Sequence, residues 1–273
     1  MLRCRDIQFD LARPLVMGIV NITPDSFSDG GLHASTADAI THALQLIEDG
    51  ADILDIGGES TRPGAALVSE QEELDRVLPV IEGLRGIAVP ISIDTYKPEV
   101  MRAAIHAGAS MVNDVNALQA EGALQVVAKS AAAVCLMHKQ GTPQTMQQRP
   151  SYQDVVDEVC AFLRERVSAA LAAGISGDRI VIDPGFGFGK TVEHNLELLR
   201  HLDKLRALGV PILAGLSRKS MLGAITGRAV EERVAASVAA ALLAVQRGAS
   251  IVRVHDVRET VDVLKIWNAL NEG

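Results

Sequence analysis

Eight short apolar runs alternate with helix-like stretches from one end of the chain to the other. The runs are VMGIVNI (16–22), ADILDIG (51–57), PISIDT (90–95), SMVNDVN (110–116), AVCLMH (133–138), IVIDPG (180–185), PILAGLS (211–217) and SIVRVH (250–255). Each is nearly continuous in apolar residues, the mark of a parallel strand covered on both faces. The clearest helical patterns are Thr36 to Asp49, Glu70 to Leu84, Pro98 to Ala107, Tyr152 to Ala173 and Glu193 to Leu208. Eight strand–helix units in 273 residues, against the ~250 usual for the architecture, predict an α/β fold of the (β/α)8 TIM-barrel type. No linker or domain break is visible, so residues 1–273 read as a single domain. A doubly wound open sheet would also alternate strand and helix, but the Gly-rich first turn usual there is missing.

Composition narrows the function classes. The formal net charge is −8, and the one basic tract, Arg218-Lys219, is too short to follow a phosphate backbone. General binding to nucleic acid or to an anionic membrane is therefore disfavoured. The most apolar helix, Val234 to Val245, is too short to span a bilayer and reads as buried. Cys4, Cys135 and Cys160 are widely spaced, without a CxxC or a nearby His pair, which fits free thiols in a reducing compartment. With no signal-peptide pattern at the N-terminus, a cytoplasmic location is expected.

A short repeat places polar groups inside the barrel. Gly50-Ala51-Asp52, Gly108-Ala109-Ser110 and Gly248-Ala249-Ser250 each end a helix and open a strand, and glycine suits the left-handed turn that closes a helix. Aligned on that glycine, the fifth residue on is Asp55, Asn113 or Arg253, on the second, fourth and eighth strands. Alternate strands of such a barrel share interior layers, so these three are expected at one height near the C-terminal mouth.

Other polar residues also gather at strand ends: Asn21, Asp94, Asp114, His138, Asp183, Ser217-Arg218-Lys219 and His255. Barrel enzymes place their chemistry at that mouth. Arg253 and His255 are two apart on a strand and share a face. A buried cation needs a partner. Either Arg253 pairs permanently with Asp55, or Arg62, Lys219, Arg253 and His255 form a cluster for a phosphate or pyrophosphate. Asp94, Asn113 and Asp183 suit a flat heterocycle rich in N–H donors, such as an amino-pyrimidinone, with helix capping as the competing role. Asn21 is either a turn residue or one oxygen ligand of a Mg²⁺ that takes its other ligands from a substrate phosphate and water. DPGFGFGKT (183–191) fails as a phosphate loop because Pro184 stands where GxxxxGK[ST] needs glycine. It reads as a flexible loop that lets a ligand approach, with Phe186 or Phe188 available for stacking. The polar stretches 22–34 and 139–150 are expected to be mobile.

Along nearly the whole chain, these motifs resemble the dihydropteroate synthase family. The segments that carry the resemblance are GIVNITPDSFSDGG, DIGGESTRPGA, ISIDTYKPEV, VNDVNA, MHKQGTPQTMQ, VIDPGFGFGK, LSRKSMLG and VRVHDV. The resemblance implies a homodimeric (β/α)8 barrel. It would join 6-hydroxymethyl-7,8-dihydropterin pyrophosphate to 4-aminobenzoate and release pyrophosphate, with Mg²⁺ as cofactor. It also implies roles for single residues. Asp94, Asn113, Asp183 and Lys219 resemble the pterin pocket. Asn21 resembles the Mg²⁺ contact, and Thr61, Arg62, Arg253 and His255 the pyrophosphate clamp. Phe27, Pro63, Phe188, Ser217 and Lys219 resemble the 4-aminobenzoate site. Arg253, His255, Lys219 and Asp94 would be the catalytic set. Tyr96 departs from the family pattern, in which a smaller residue is usual. A pterin-dependent methyltransferase domain would share the carboxylates but has no pyrophosphate to hold. A non-catalytic pterin-binding paralogue would be expected to lack part of the cation cluster or Asn21. A sugar-phosphate barrel enzyme accounts for the cations but not for Asp94, Asn113 and Asp183.

Overall fold

The computed structural model describes residues 1–22, 31–60, 67–141, 146 and 150–271, with 31–35 described as helix backbone only. A hairpin comes first: β1 (Leu2–Cys4) pairs antiparallel with β2 (Ile7–Phe9). Eight parallel strands follow, β3 (Leu15–Asn21), β4 (Ile53–Gly57), β5 (Ile91–Asp94), β6 (Met111–Asp114), β7 (Ala133–Met137), β8 (Ile180–Asp183), β9 (Leu213–Ala214) and β10 (Ile251–Val254). Each pairs with its neighbour in sequence, β10 returns to β3, and a parallel bridge between Ile182 and Ile212 joins β8 to the strand of β9. The sheet is thus a closed barrel, which leaves no edge exposed.

Helices cover its outside: α1 (Gly31–Glu48), α2 (Glu70–Gly83), α3 (Pro98–Ala107), α4 (Ala123–Ala128), α5 (Val155–Ala172), α6 (Val192–Arg200), α7 (Ser220–Thr226), α8 (Val234–Gln246) and α9 (Val257–Asn271). Their starts have identifiable causes. Ser69 accepts the Glu72 N–H at 3.2 Å at the head of α2, and Asp154 accepts two N–H groups at the head of α5. Thr191 and His194 cap α6 reciprocally, and Pro98 opens α3 with its φ already suited to a helix.

Two expectations change, and one element had not been foreseen. The first helix begins at Gly31 instead of Thr36. The run 193–208 is not one helix: α6 stops at Arg200, His201 turns out of helical geometry, and Leu202–Leu208 continue as a 3-10 helix. There Leu202 and Leu205, three apart, are both buried, which matches the three-residue turn. The N-terminal hairpin carried no readable strand signal, because three residues per strand are too few to show a period. It turns at Arg5, whose φ is +53°, and it buries Leu2 and Cys4 against Leu15, Met17 and other residues of the barrel interior. The hairpin is the plug at one end of the barrel; the site lies at the other. Leu2 is fully buried, so Leu2→Ala is expected to cost about 2–5 kcal/mol. Urea unfolding of the two proteins measures this, and coincident midpoints would show that the hairpin is not part of the core.

Candidate active site

Strands β4, β6, β8 and β10 send Ile53, Met111, Val181 and Ile251 into the apolar interior. Two residues further along, on the same face, each strand carries a polar group: Asp55, Asn113, Asp183 and Arg253. Met17, Ser92, Cys135 and Leu213, from the intervening strands, interleave between the two sets. The barrel therefore changes from apolar to charged within one layer. The glycine repeat marked three of the four, and Gly50, Gly108 and Gly248 all have positive φ. It missed Asp183, whose strand follows a 3-10 turn without that glycine.

Asp55 organises the layer. It is fully buried, and its Oδ2 accepts Arg253 Nε at 2.6 Å and Asn113 Nδ2 at 2.9 Å. Arg253 Nη2 then reaches Asp94 Oδ2 at 2.8 Å. Of the two sequence readings for Arg253, pairing with Asp55 is the one seen here, extended by Asp94; 19% of the Arg253 side chain stays accessible. Burial works against its charge, but Asp55, Asp94 and Asp183 raise its pKa and keep it a cation. Burial pushes the Asp94 carboxyl up to about 7 against the pull of Arg253, and Asp55, Glu73 and Asp114 add to the rise. Burial also raises Asp183, opposed by the Gly185 N–H and by Lys219, Lys190 and Arg253. Carboxylates exceed guanidinium groups in this layer, so the mouth favours a ligand that brings hydrogen-bond donors or positive charge.

The capping competitors fall away. Asp94 caps nothing in α3; the Lys97 N–H goes to Thr95 Oγ1 at 3.2 Å. Asp183 Oδ1 accepts the Gly185 N–H at 2.7 Å, within its own loop and not at a helix end. Asp114 is the strand-end residue that proves structural, accepting N–H groups of Asn116 and Leu118 at 2.7 Å each. His138 is buried beside Tyr152 and Phe162, and burial with Lys190 nearby lowers its pKa to about 3.

Around this layer stand the loop residues. Ser217 Oγ lies 3.0 Å from His255 Nδ1 and accepts the His255 N–H at 3.2 Å. Arg218, at φ +57°, turns outward and pairs with Asp256 at 2.5 Å, so the loops after β9 and β10 are joined by two parallel links. Lys219 extends its Nζ to 4.2 Å from the Phe188 ring centroid. Asn21 and Asp94 flank Gly57 across adjacent strands. Phe186 is buried in the core, so of these two rings Phe188 is the one at the mouth.

The model of the pterin binding enzyme family matches residues 17–255. The chain belongs to that family, among its dihydropteroate synthases. The dihydropteroate synthase of Neisseria meningitidis serogroup B is 54% identical over 270 residues, spanning 96% of this chain and 95% of the relative. The structure of Xanthomonas albilineans dihydropteroate synthase with 4-aminobenzoic acid superposes with a TM-score of 0.91 at 59% identity, over 96% of this chain and 94% of that one. The same organism's enzyme in complex with 7,8-dihydropteroate gives 0.88 at 56% identity, over 96% and 95%.

For this family member, the fold brings Asp94, Asn113, Asp183, Arg253, His255, Ser217, Lys219, Phe188 and Asn21 to one end of the barrel. Phe27, Thr61, Arg62 and Pro63 lie outside the described residues, as does most of 22–34 and 139–150. The flanks of the segment with Thr61, Arg62 and Pro63 are tied down: Lys97 Nζ meets Glu59 Oε2 at 2.6 Å, Glu73 Oε2 at 2.6 Å and Val68 O at 2.7 Å. Tyr96 reaches Glu59 Oε1 at 3.4 Å and so joins this clasp. Sequence reasoning placed Asp55 in the layer and offered it as the partner of Arg253, but it missed Lys97 altogether. Nothing local marks Lys97, because its partners come from distant elements.

The Asp94 shift fixes the sign of a pH effect. The folded state holds this proton more tightly than the unfolded chain does. The stabilisation is therefore present in full below the ordinary carboxylate range and is lost as pH rises through about 7. Urea unfolding between roughly pH 4 and 8 should show wild type losing stability relative to Asp94→Asn over that interval. Parallel curves would contradict it.

Proposed function

We infer that the chain condenses 6-hydroxymethyl-7,8-dihydropterin pyrophosphate with 4-aminobenzoate, giving 7,8-dihydropteroate and pyrophosphate in folate biosynthesis. The enzyme is a transferase: the pterin methylene exchanges its C–O bond to pyrophosphate for a C–N bond to the arylamine, which gives up a proton. The observation that carries this reading is the polar layer of Asp55, Asn113, Asp183 and Arg253 with Asp94 beside it, in a chain of this family.

Asp94, Asn113, Asp183 and Lys219 bind the pterin in this proposal. Asp94 and Asp183 are buried carboxylates whose pKa values burial raises, and the N–H groups of an amino-pyrimidinone would favour their ionised forms. As the C–O bond breaks, positive charge develops on the pterin methylene, and ionised Asp94 stabilises it. Arg253 and His255, with Thr61 and Arg62, hold the departing pyrophosphate. Ser217, Lys219, Phe188, Phe27 and Pro63 hold 4-aminobenzoate, the Phe188 ring offering a face to the arene. Most of the rate enhancement then comes from orientation and electrostatics, with little proton transfer by protein groups.

Mg²⁺ is the proposed cofactor. The described residues contain no group of three His, Cys, Asp or Glu that could hold a metal alone. Asn21 offers one hard amide oxygen at the mouth, which fits an ion that takes its remaining ligands from pyrophosphate and water. When bound, Mg²⁺ neutralises charge on the leaving group.

A homodimer is proposed on the outer face of α8, where Ala235, Ala239 and Leu243 are exposed at successive fourth positions; Leu243 is 41% exposed. A cytoplasmic setting is proposed on the free thiols Cys4, Cys135 and Cys160. No helix among the described residues is long and apolar enough to cross a membrane.

The two substrates, mixed with the purified protein and Mg²⁺, are expected to give dihydropteroate, and a chelator should abolish product. Pterin binding without product would return the methyltransferase or non-catalytic reading. His255→Ala should lower turnover about 100-fold or more. The hydrogen bond to Ser217 that it gives up is expected to cost about 0.5–1.5 kcal/mol of stability. Arg253→Ala is the less clean test: it leaves Asp55 and Asp94 buried without their cation, at a cost of about 3–5 kcal/mol. Light scattering is expected to give a dimer, and Leu243→Glu a monomer; an unchanged mass would move the interface elsewhere.

A further inference from the structure

The loop from Asp183 to Lys190 is bonded along its length, contrary to the flexible loop its glycines led us to expect. Gly185 donates to Asp183 Oδ1 at 2.7 Å, and its carbonyl accepts the Phe188 N–H at 3.1 Å. Gly187 donates to Asn195 Oδ1 at 2.8 Å, and the Gly189 carbonyl accepts the Tyr152 hydroxyl at 2.8 Å. The glycines serve close approach. A Cβ on Gly185 would lie 1.9 Å from the His138 carbonyl oxygen, and one on Gly189 2.3 Å from that of Gln140. The loop therefore lies flat on the backbone after β7.

Lys190 is the centre of this arrangement and has no place in the chemistry above. It is 2% exposed, and its Nζ reaches Gly185 O at 2.9 Å, Phe188 O at 3.1 Å and His138 Nδ1 at 2.9 Å. Burial lowers its pKa to about 7, with Lys219 adding to the fall and Asp183 opposing it. A buried amine that spends its donors on two carbonyls of one loop is a fastening. That loop carries Asp183 at its start and Phe188 at its far side.

We propose that Lys190 is a positioning residue that makes the pterin pocket and the 4-aminobenzoate pocket one rigid wall. By drawing the Gly185 and Phe188 carbonyls onto His138, it sets the Asp183 carboxylate and the Phe188 ring at a fixed separation. The inference rests on the assignment of Asp183 to pterin and Phe188 to 4-aminobenzoate. It predicts that loosening the fastening weakens the binding of both substrates together, although Lys190 touches neither.

The test is steady-state kinetics with both substrates on Lys190→Met, Tyr152→Phe and Leu2→Ala. Lys190→Met keeps the aliphatic stem and loses the donors; both KM values are expected to rise about tenfold or more, with kcat falling less. Tyr152→Phe frees only the Gly189 carbonyl, next to Phe188, and should raise the KM for 4-aminobenzoate about threefold while sparing that for the pterin. Leu2→Ala destabilises the opposite end of the barrel and should leave both KM values unchanged, which separates positioning from general loss of stability. If Lys190→Met folds with both KM values near wild type, the inference is overturned. If it does not fold, Tyr152→Phe decides, and an unchanged KM for 4-aminobenzoate overturns it. Wild type that forms no dihydropteroate would instead defeat the reaction assignment on which the inference stands.

Discussion

The ion pair between Asp55 and Arg253 is the contact on which the rest of the mouth depends. Asp55 comes from β4 and Arg253 from β10, with β3 between them, so the pair passes over the interior face of β3. The same carboxylate oxygen orients Asn113 from β6, and the far side of the guanidinium fixes Asp94 on β5. Four strands are thereby held in one hydrogen-bonded layer. An apolar layer of equal volume would stabilise the barrel at least as well. A charged layer in its place is better explained by what it presents to a ligand than by what it adds to the fold.

Below that layer the interior is ordinary barrel core, closed by Leu2 and Cys4 of the hairpin. Above it, three fastenings hold the loops, and each uses a cation turned away from the chemistry. Lys97 ties Glu59 and Val68 to α2, Arg218 ties its loop to Asp256, and Lys190 ties the Asp183–Phe188 loop to His138. The mouth thus contains two kinds of basic residue. Arg253, His255 and Lys219 face the ligand space, while Lys97, Arg218 and Lys190 hold backbone and carboxylates in place. Residue type alone does not separate them; the direction of the side chain does.

That distinction marks where the sequence was legible. The eight strands were visible as continuous apolar runs, because a parallel strand buried on both faces leaves little else to read. Asp55, Asn113 and Arg253 were placed in one layer by a glycine spacing, and their side chains do bond to one another. Asp183 escaped that pattern because a different turn precedes β8. The 193–208 break was hidden because buried positions three apart satisfy a helix and a 3-10 turn equally well. The 183–191 loop was misread for a more general reason. Glycine in a loop signals either freedom or close approach, and only the carbonyl oxygens of His138 and Gln140, distant in sequence, decide which.

Arg253 shows why the two sequence readings of a buried arginine need not exclude each other. With Asp55 and Asp94 as partners its charge is paired in the free protein. Asp94 is nonetheless the weaker partner. It lies at the top of the layer, and burial pushes its carboxyl up to about 7, so it shares the guanidinium with a proton at neutral pH. On the proposed assignment, a donor-rich ring at Asp94 would supply hydrogen bonds that its Oδ1 lacks and relax its hold on Arg253 Nη2. The guanidinium, still anchored through Nε to Asp55, would then turn its other edge toward an anion on the same ligand. A permanent ion pair and a pyrophosphate contact can therefore be two ends of one side chain. Asp55 is what keeps that chain aimed at the mouth whichever end is engaged.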